Sequence, residues 1–147
     1  MARVKYIEKA DAHPMVAELY EKVEGRGQKV INLWKVMGHL PYIGLNYQRM
    51  GNSILKGEEL SPKIRELAIL RVGAINNSRY EFTQHTRIGL REGLTQQQIK
   101  EISEWQKSNL FSDAERAVLA YADEMEKNIQ VKDATFNNLQ KYFNEHQ

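Results

Sequence analysis

The sequence predicts an all-α, single-domain helical bundle of about eight helices spanning residues 1–147. Three observations predict it. Apolar residues recur at three- and four-residue intervals along most of the chain, and no segment sustains the two-residue alternation of a strand. Only three prolines and nine glycines occur, and the prolines with Gly25, Gly27, Gly57 and Gly93 punctuate the periodic stretches. No repeat, linker or low-complexity tract divides the chain, and 147 residues is an ordinary size for one domain.

Each helix has its own start and stop. The first begins near Pro14, because proline suits the first helical position, where its missing N–H has no partner to lose. Val16, Leu19, Tyr20 and Val23 then share a face, and Gly25 and Gly27 end the run. A short second helix, about residues 30–37, carries Ile31, Leu33, Trp34 and Met37 before Gly38 and Pro41 interrupt it. The third, about 41–55, shows Ile43, Tyr47, Met50 and Ile54, with Gly57 as its stop. Ser61-Pro62 starts the fourth, which runs to about residue 77. Its Ile64, Leu67, Ala68, Ile69, Leu70, Val72, Ala74 and Ile75 lie almost all round, the mark of a buried helix. The fifth, about 79–92, is stopped by Gly93. Thr95 with Gln98, and Ser112 with Glu115, have capping-box spacing and open the sixth and seventh helices, the latter running to about residue 128. Asp133 is expected to cap the last, with Phe136, Leu139, Tyr142 and Phe143 facing the core. Short connections favour antiparallel neighbours.

Composition narrows the function. Lys and Arg total 21 and Asp and Glu total 19, a formal charge of +2, with the signs interspersed. No basic stripe is displayed, so no nucleic-acid partner is expected. No apolar run approaches the roughly 18 residues that span a bilayer, so no membrane partner is expected either. Residues 1–11 are charged and lack an apolar stretch, which makes a cytoplasmic location the default expectation. There are no cysteines, which excludes disulfides, thiolate metal sites and thiol chemistry in this chain. Trp34, Trp105 and the tyrosines are spaced as core or interface groups. The acidic seventh helix, with Asp113, Glu115, Asp123, Glu124 and Glu126, reads as a solvated face.

Several polar residues do not suit a bland core. Glu66 sits in the middle of the most apolar helix, where a carboxylate needs a partner. Arg65, Arg71 and Arg87 are the candidates, and the arrangement is either a structural ion pair or part of a site. Glu81 and His85, four residues apart, share a helix face. With Phe82 and Gly89 they fall on a stripe expected to turn inward. A carboxylate beside imidazole fixes its tautomer, as in a general acid or base. The same spacing also describes an ordinary surface pair. His39, in Gly38-His39-Leu40-Pro41, lies at a helix boundary, where a ring either lines a pocket or serves as a local cap. A metal site would draw on Glu66, Glu81, His85 and His39. Di-iron bundles, however, repeat Glu-x-x-His, and a single Glu-x-x-x-His stands here, so no metal is expected.

The stretch Leu60-Ser61-Pro62-Lys63-Ile64-Arg65-Glu66-Leu67-Ala68-Ile69-Leu70-Arg71-Val72 resembles the signature helix of the carboxymuconolactone decarboxylase and alkylhydroperoxidase-D-like superfamily. Tyr80-Glu81-Phe82-Thr83-Gln84-His85, Gly93-Leu94-Thr95, Asn32-Leu33-Trp34 and His39-Leu40-Pro41 extend the resemblance over residues 31–102. The hydroperoxidase branch carries Glu, then Cys twelve residues on, Cys three further and His four further. Those positions here are Glu66, Ser78, Glu81 and His85, so a dithiol relay has no sulfur to run on. The decarboxylase branch, with Glu-x-x-x-His at the second cysteine, is more similar.

The resemblance implies an alkylhydroperoxidase-D-like helical fold and a homo-oligomer, trimer or hexamer, with sites near subunit contacts. It also implies a cofactor-free reaction on a small carboxylic acid or lactone. That reaction is decarboxylation, as by a lyase, or a related hydrolysis or isomerisation. His85 would deliver a proton to carbon, Glu81 would orient it, and Glu66 would be a second acid/base or positioning group. Arg71 and Arg87 would pair with substrate carboxylates, and His39 and Ser78 would complete the substrate contacts. The alternative is a non-catalytic oligomer that binds a small ligand or a protein. It expects Glu81 on an arginine and no cavity beside His85. Members of this type commonly continue past Tyr142-Phe143-Asn144 into another apolar helix. The sequence ends at Gln147, so an apolar face covered by a partner is expected there.

Overall fold

The computed structural model describes residues 3–57 and 59–147. Among them, all regular structure is helical, with eight α-helices and 3₁₀ turns at Lys9–Asp11 and Ile102–Lys107. No helix among them is long and apolar enough to cross a membrane. The chain forms two compact units, Met1–Gly57 and Glu58–Gln147.

The N-terminal unit holds α1 (Pro14–Glu24), α2 (Asn32–Met37) and α3 (Pro41–Lys56). Pro14 and Pro41 sit at the first helical turns, as their fixed φ favours. Val16 and Tyr20 form the buried face of α1. The Tyr20 hydroxyl lies 3.2 Å from the Ile7 carbonyl and 3.1 Å from that of Trp34, and so ties three segments together. Gly44 lets α3 pass close to the end of α2, since a Cβ there would stand 2.8 Å from the Met37 carbonyl oxygen. On α3 itself, Ile43, Tyr47, Met50 and Ile54 all remain exposed.

The C-terminal unit is built around α4 (Pro62–Ile75), which packs on α5 (Arg79–Arg91) and α7 (Asp113–Asn128). Between these lie α6 (Gln96–Glu101) and the 3₁₀ turn, and α8 (Asp133–Leu139) follows. Leu67, Leu70, Leu94, Ile99, Ile102, Trp105, Phe111 and Leu119 make the core. A buried leucine of this kind is worth about 2–5 kcal/mol against alanine. Both expected capping boxes, at Thr95/Gln98 and Ser112/Glu115, are present.

The α4–α5 turn is antiparallel, as its short connection favours. α4 ends with Asn77 at φ 51°, the Ser78 N–H bonded to the Gly73 carbonyl at 2.9 Å and the Asn77 N–H to that of Ala74 at 3.3 Å. This paired closure is the Schellman arrangement, and asparagine tolerates the left-handed position. α5 ends the same way on Gly93, at φ 101°. By contrast, α4 and α7 run parallel: Lys63 pairs with Glu115 and Arg71 with Asp123, so the partner numbers rise together.

Three sequence expectations change here. The acidic face of α7 is not wholly solvated, because Glu115 and Asp123 are buried and paired to α4. Lys132, not Asp133, is the N-cap residue of α8, and its N–H is satisfied from α7 by the Glu124 carboxylate at 2.8 Å. No residue of α8 is buried, and Phe136 and Tyr142 are exposed while Leu139 and Phe143 are half-buried, since the helix stops at Leu139.

Candidate acid–base site

Glu66, in the middle of α4, is completely buried. Its Oε2 lies 2.7 Å from His85 Nδ1 on α5, and its Oε1 accepts from Arg65 Nε at 3.3 Å. A carboxylate only accepts, so Nδ1 carries the hydrogen and Nε2 is left as the working nitrogen. Nε2 stands 3.5 Å from Glu81 Oε2, one turn back along α5. The imidazole is thus held between a buried carboxylate and a half-exposed one. The His85 side chain is 15% exposed and that of Glu81 45%, so the series leads from interior to surface.

The helices dictate this meeting. Glu81 and His85 share a face by their four-residue spacing. Gly89 brings that face against α4: a Cβ there would lie 2.9 Å from Leu94 Cδ1, 3.3 Å from Leu70 Cδ1 and 3.7 Å from Glu66 Cβ. Glu81 in the first turn of α5 also complements the helix N-terminus.

Glu81 opens onto a groove of about 490 Å³. Its wall is Ala68, Ile69, Val72 and Gly73 of α4, with Asn76, Ser78 and Glu81. The two positions that the resemblance aligns with the family's cysteines, Ser78 and Glu81, therefore share one cavity. The apolar residues that made α4 read as wholly buried are only partly covered, because Ile69 and Val72 face this groove. A larger groove of about 530 Å³ shares Gly73 and Ser78 with it and holds Arg79, Phe82, Thr83 and Ser103. A third, apolar groove of about 370 Å³ shares only Ala68 with the first and contains none of Glu66, Glu81 and His85.

Glu66, Glu81 and His85 come together as the sequence suggested, with the roles of the carboxylates redistributed. Glu66 makes the short contact that orients the ring, and Glu81 faces the groove. Among the three arginine candidates for Glu66, Arg65 is the partner. Arg71 does not reach the site. It is buried, its Nε bonded to Asp123 and its Nη1 to the carbonyls of Ile102 and Ser103, at 3.0 and 3.2 Å, so its donors are committed to the core. Arg87 is exposed and lies two residues past His85, about 200° round the helix and away from the ring's face. His39 belongs to the N-terminal unit, where Nε2 is 2.7 Å from the Lys5 carbonyl oxygen, the role of a local latch. Among the described residues no group of three or more carboxylate or imidazole side chains is arranged to hold a metal ion. Arg79 is the cation that sequence reasoning missed at this end of α5. Its only signal was its place beside Ser78.

Residues 41–124, more than half of the chain, match the carboxymuconolactone decarboxylase family. No curated protein matches in sequence. Among solved structures, a protein of unknown function from Agrobacterium tumefaciens, described as a candidate antioxidant defence protein AhpD, superposes with a TM-score of 0.69. It shares 23% identity, with 75% of this chain and 76% of that one covered. The debrominase Bmp8 superposes with a TM-score of 0.77 at 18% identity, covering 99% of this chain and 78% of its own. It has been seen both free and, as a cysteine-to-alanine variant, bound to 2,3,4-tribromopyrrole. At these identities the likeness shows the fold, alkylhydroperoxidase-D-like and all-helical.

Proposed function

Because the chain belongs to the carboxymuconolactone decarboxylase family, we propose that it is a cofactor-free acid–base enzyme acting on a small lactone or related carbonyl compound. The observation that carries this reading is His85 held by Glu66 on one nitrogen and facing, with the other, Glu81, which lines the groove. In this reading Glu81 takes a proton from carbon next to the substrate carbonyl, and His85 Nε2 exchanges it with Glu81 across their 3.5 Å separation. Glu66 holds Nδ1–H and stabilises the imidazolium that forms, while Arg65 balances Glu66. A positioned acid–base group of this kind supplies about 10²–10⁴ in rate.

The non-catalytic alternative has less support. It expects Glu81 on an arginine, whereas Glu81 faces an imidazole and lines an open groove; its other expectation, no cavity beside His85, is consistent with a groove that Glu81 lines and His85 does not. Thiol peroxidase chemistry lacks its nucleophile, since this chain has no cysteine.

The test does not require the product to be known. Small lactones are incubated with the protein in D₂O, and deuterium uptake at the carbon next to the carbonyl is followed by NMR. Wild type is expected to accelerate uptake, and His85→Gln to lose about 100-fold or more of that acceleration. Glutamine keeps an N–H donor for Glu66 but cannot relay a proton, and circular dichroism confirms that the variant is folded. Uptake equal in the two proteins, or no faster than in buffer, rejects the reading.

A further inference from the structure

The groove beside Glu81 decides which substrates the proposed site accepts. Its apolar wall is Ala68, Ile69, Val72 and Gly73, and its polar groups come from Asn76, Ser78 and Glu81. None of these is a cation. Asn76 Nδ2 donates to the Val72 carbonyl at 3.2 Å and to Glu126 Oε1 at 2.6 Å, which leaves its Oδ1 as an acceptor and adds a second carboxylate at the rim. None of the neighbouring arginines lines this groove: Arg65 bonds Glu66 through Nε, Arg71 is committed to Asp123, and Arg79 lines the adjoining groove with Phe82 and Thr83. A carboxylate entering here meets Glu81 with no cation in the groove's own lining, and like charges repel.

The geometry points to an uncharged substrate: a small lactone or ester whose apolar body lies against Ala68, Ile69 and Val72 and whose acidic hydrogen meets Glu81. This rests on the acid–base reading of the same site and narrows it. A free acid is not the substrate, so decarboxylation of one is not the reaction. The step that remains is transfer of a proton. Glu81 takes the hydrogen next to the carbonyl as H⁺ and the C–H electron pair moves into an enolate. Where the lactone carries a C=C in the β,γ position the enolate is a dienolate, and Glu81, after exchange of its proton with solvent, returns one to the γ carbon, which shifts the double bond. No oxidant or reductant is consumed.

The matched probes are γ-carboxy-γ-butyrolactone and its methyl ester, titrated at neutral pH into protein carrying ¹³C-methyl isoleucine and valine. The ester is expected to shift the Ile69 and Val72 methyls and to bind at least about tenfold more tightly than the acid. Glu81→Gln is expected to bring that ratio towards one by strengthening the acid. Equal or tighter binding of the acid overturns the inference, as does acid binding that Arg79→Gln abolishes. It is also overturned if the ester shifts the Ile64 and Val118 methyls instead, or if neither probe shifts any methyl. Tight, ester-selective binding without deuterium uptake keeps this inference and rejects the acid–base reading. Uptake with the acid preferred does the reverse.

Discussion

Glu66 is tolerable in the interior because each of its oxygens has a partner, His85 on one side and Arg65 on the other. An unpartnered buried carboxylate costs several kcal/mol, so the residue that orients the ring is also one the fold depends on. Glu66, Glu81 and His85 were legible in the sequence because helical spacing and an apolar context single them out. The arginines were not. Arg71 finds Asp123 from 52 residues away, and no local pattern reports a partner at that distance. Ile129 was equally hidden. It closes α7 at φ 57°, a left-handed conformation that a β-branched residue adopts at a cost of about 1–2 kcal/mol. Its side chain is 90% exposed, so little burial offsets that strain. Ile129→Gly is therefore expected to stabilise the protein by about 1 kcal/mol, read as a higher urea midpoint with an unchanged slope. A lower midpoint would mean that the exposed isoleucine contributes more than its backbone costs.

Helix starts were well marked in the chain. Pro14, Pro41 and Pro62 occupy first turns, and Thr95 and Ser112 build their capping boxes. Such signals are local and chemical. Ends and crossings were less visible, because they depend on what the next element needs. Asn77 turns α4 back as α5, and Glu124 on α7 satisfies the start of α8. The 3₁₀ turn at Ile102–Lys107 follows α6 without any breaker in the sequence. Two glycines of α3 test how far propensity alone governs an element. A Cβ at Gly44 would press on the Met37 backbone at 2.8 Å, whereas one at Gly51 meets nothing within 4 Å. Gly51→Ala is expected to stabilise by about 0.5–1 kcal/mol through helix propensity. Gly44→Ala is expected to destabilise by about 1–3 kcal/mol despite the same gain, because backbone has to move. Urea unfolding of both variants decides it, and equal shifts would show that α2 and α3 give way freely.

At the scale of the molecule, a formal charge of +2 conceals two carboxylates that work as internal ties. Glu115 and Asp123 clamp α7 to α4 two turns apart, through Lys63 and Arg71. Burial by itself would raise both carboxyls. It is outweighed in Glu115 by Lys63 and the Ser112 N–H, and in Asp123 by Arg71 and the Trp105 indole, so both are held below the ordinary range. A carboxyl whose value is lowered by folding adds stability above its unfolded value and loses it as pH falls through the folded one. The N-terminal unit carries surface pairs such as Lys22–Glu18 and Lys9–Glu21, which contribute little. Acid sensitivity should therefore belong to the C-terminal unit. The two tryptophans, Trp34 and Trp105, fall one in each unit, which makes this measurable. In a Trp34→Phe background the fluorescence reports Trp105, whose Nε1 donates to Asp123 at 3.3 Å. Its thermal midpoint is expected to hold steady near neutral pH and to fall steeply from about pH 4.5 downward. Adding Asp123→Asn is expected to lower stability by about 3–5 kcal/mol at pH 7, because Arg71 stays buried without its counter-ion, and to flatten the acid limb. A midpoint unchanged down to about pH 3 would show that apolar packing alone joins α7 to α4, since both carboxylates would then be losing their charge without consequence.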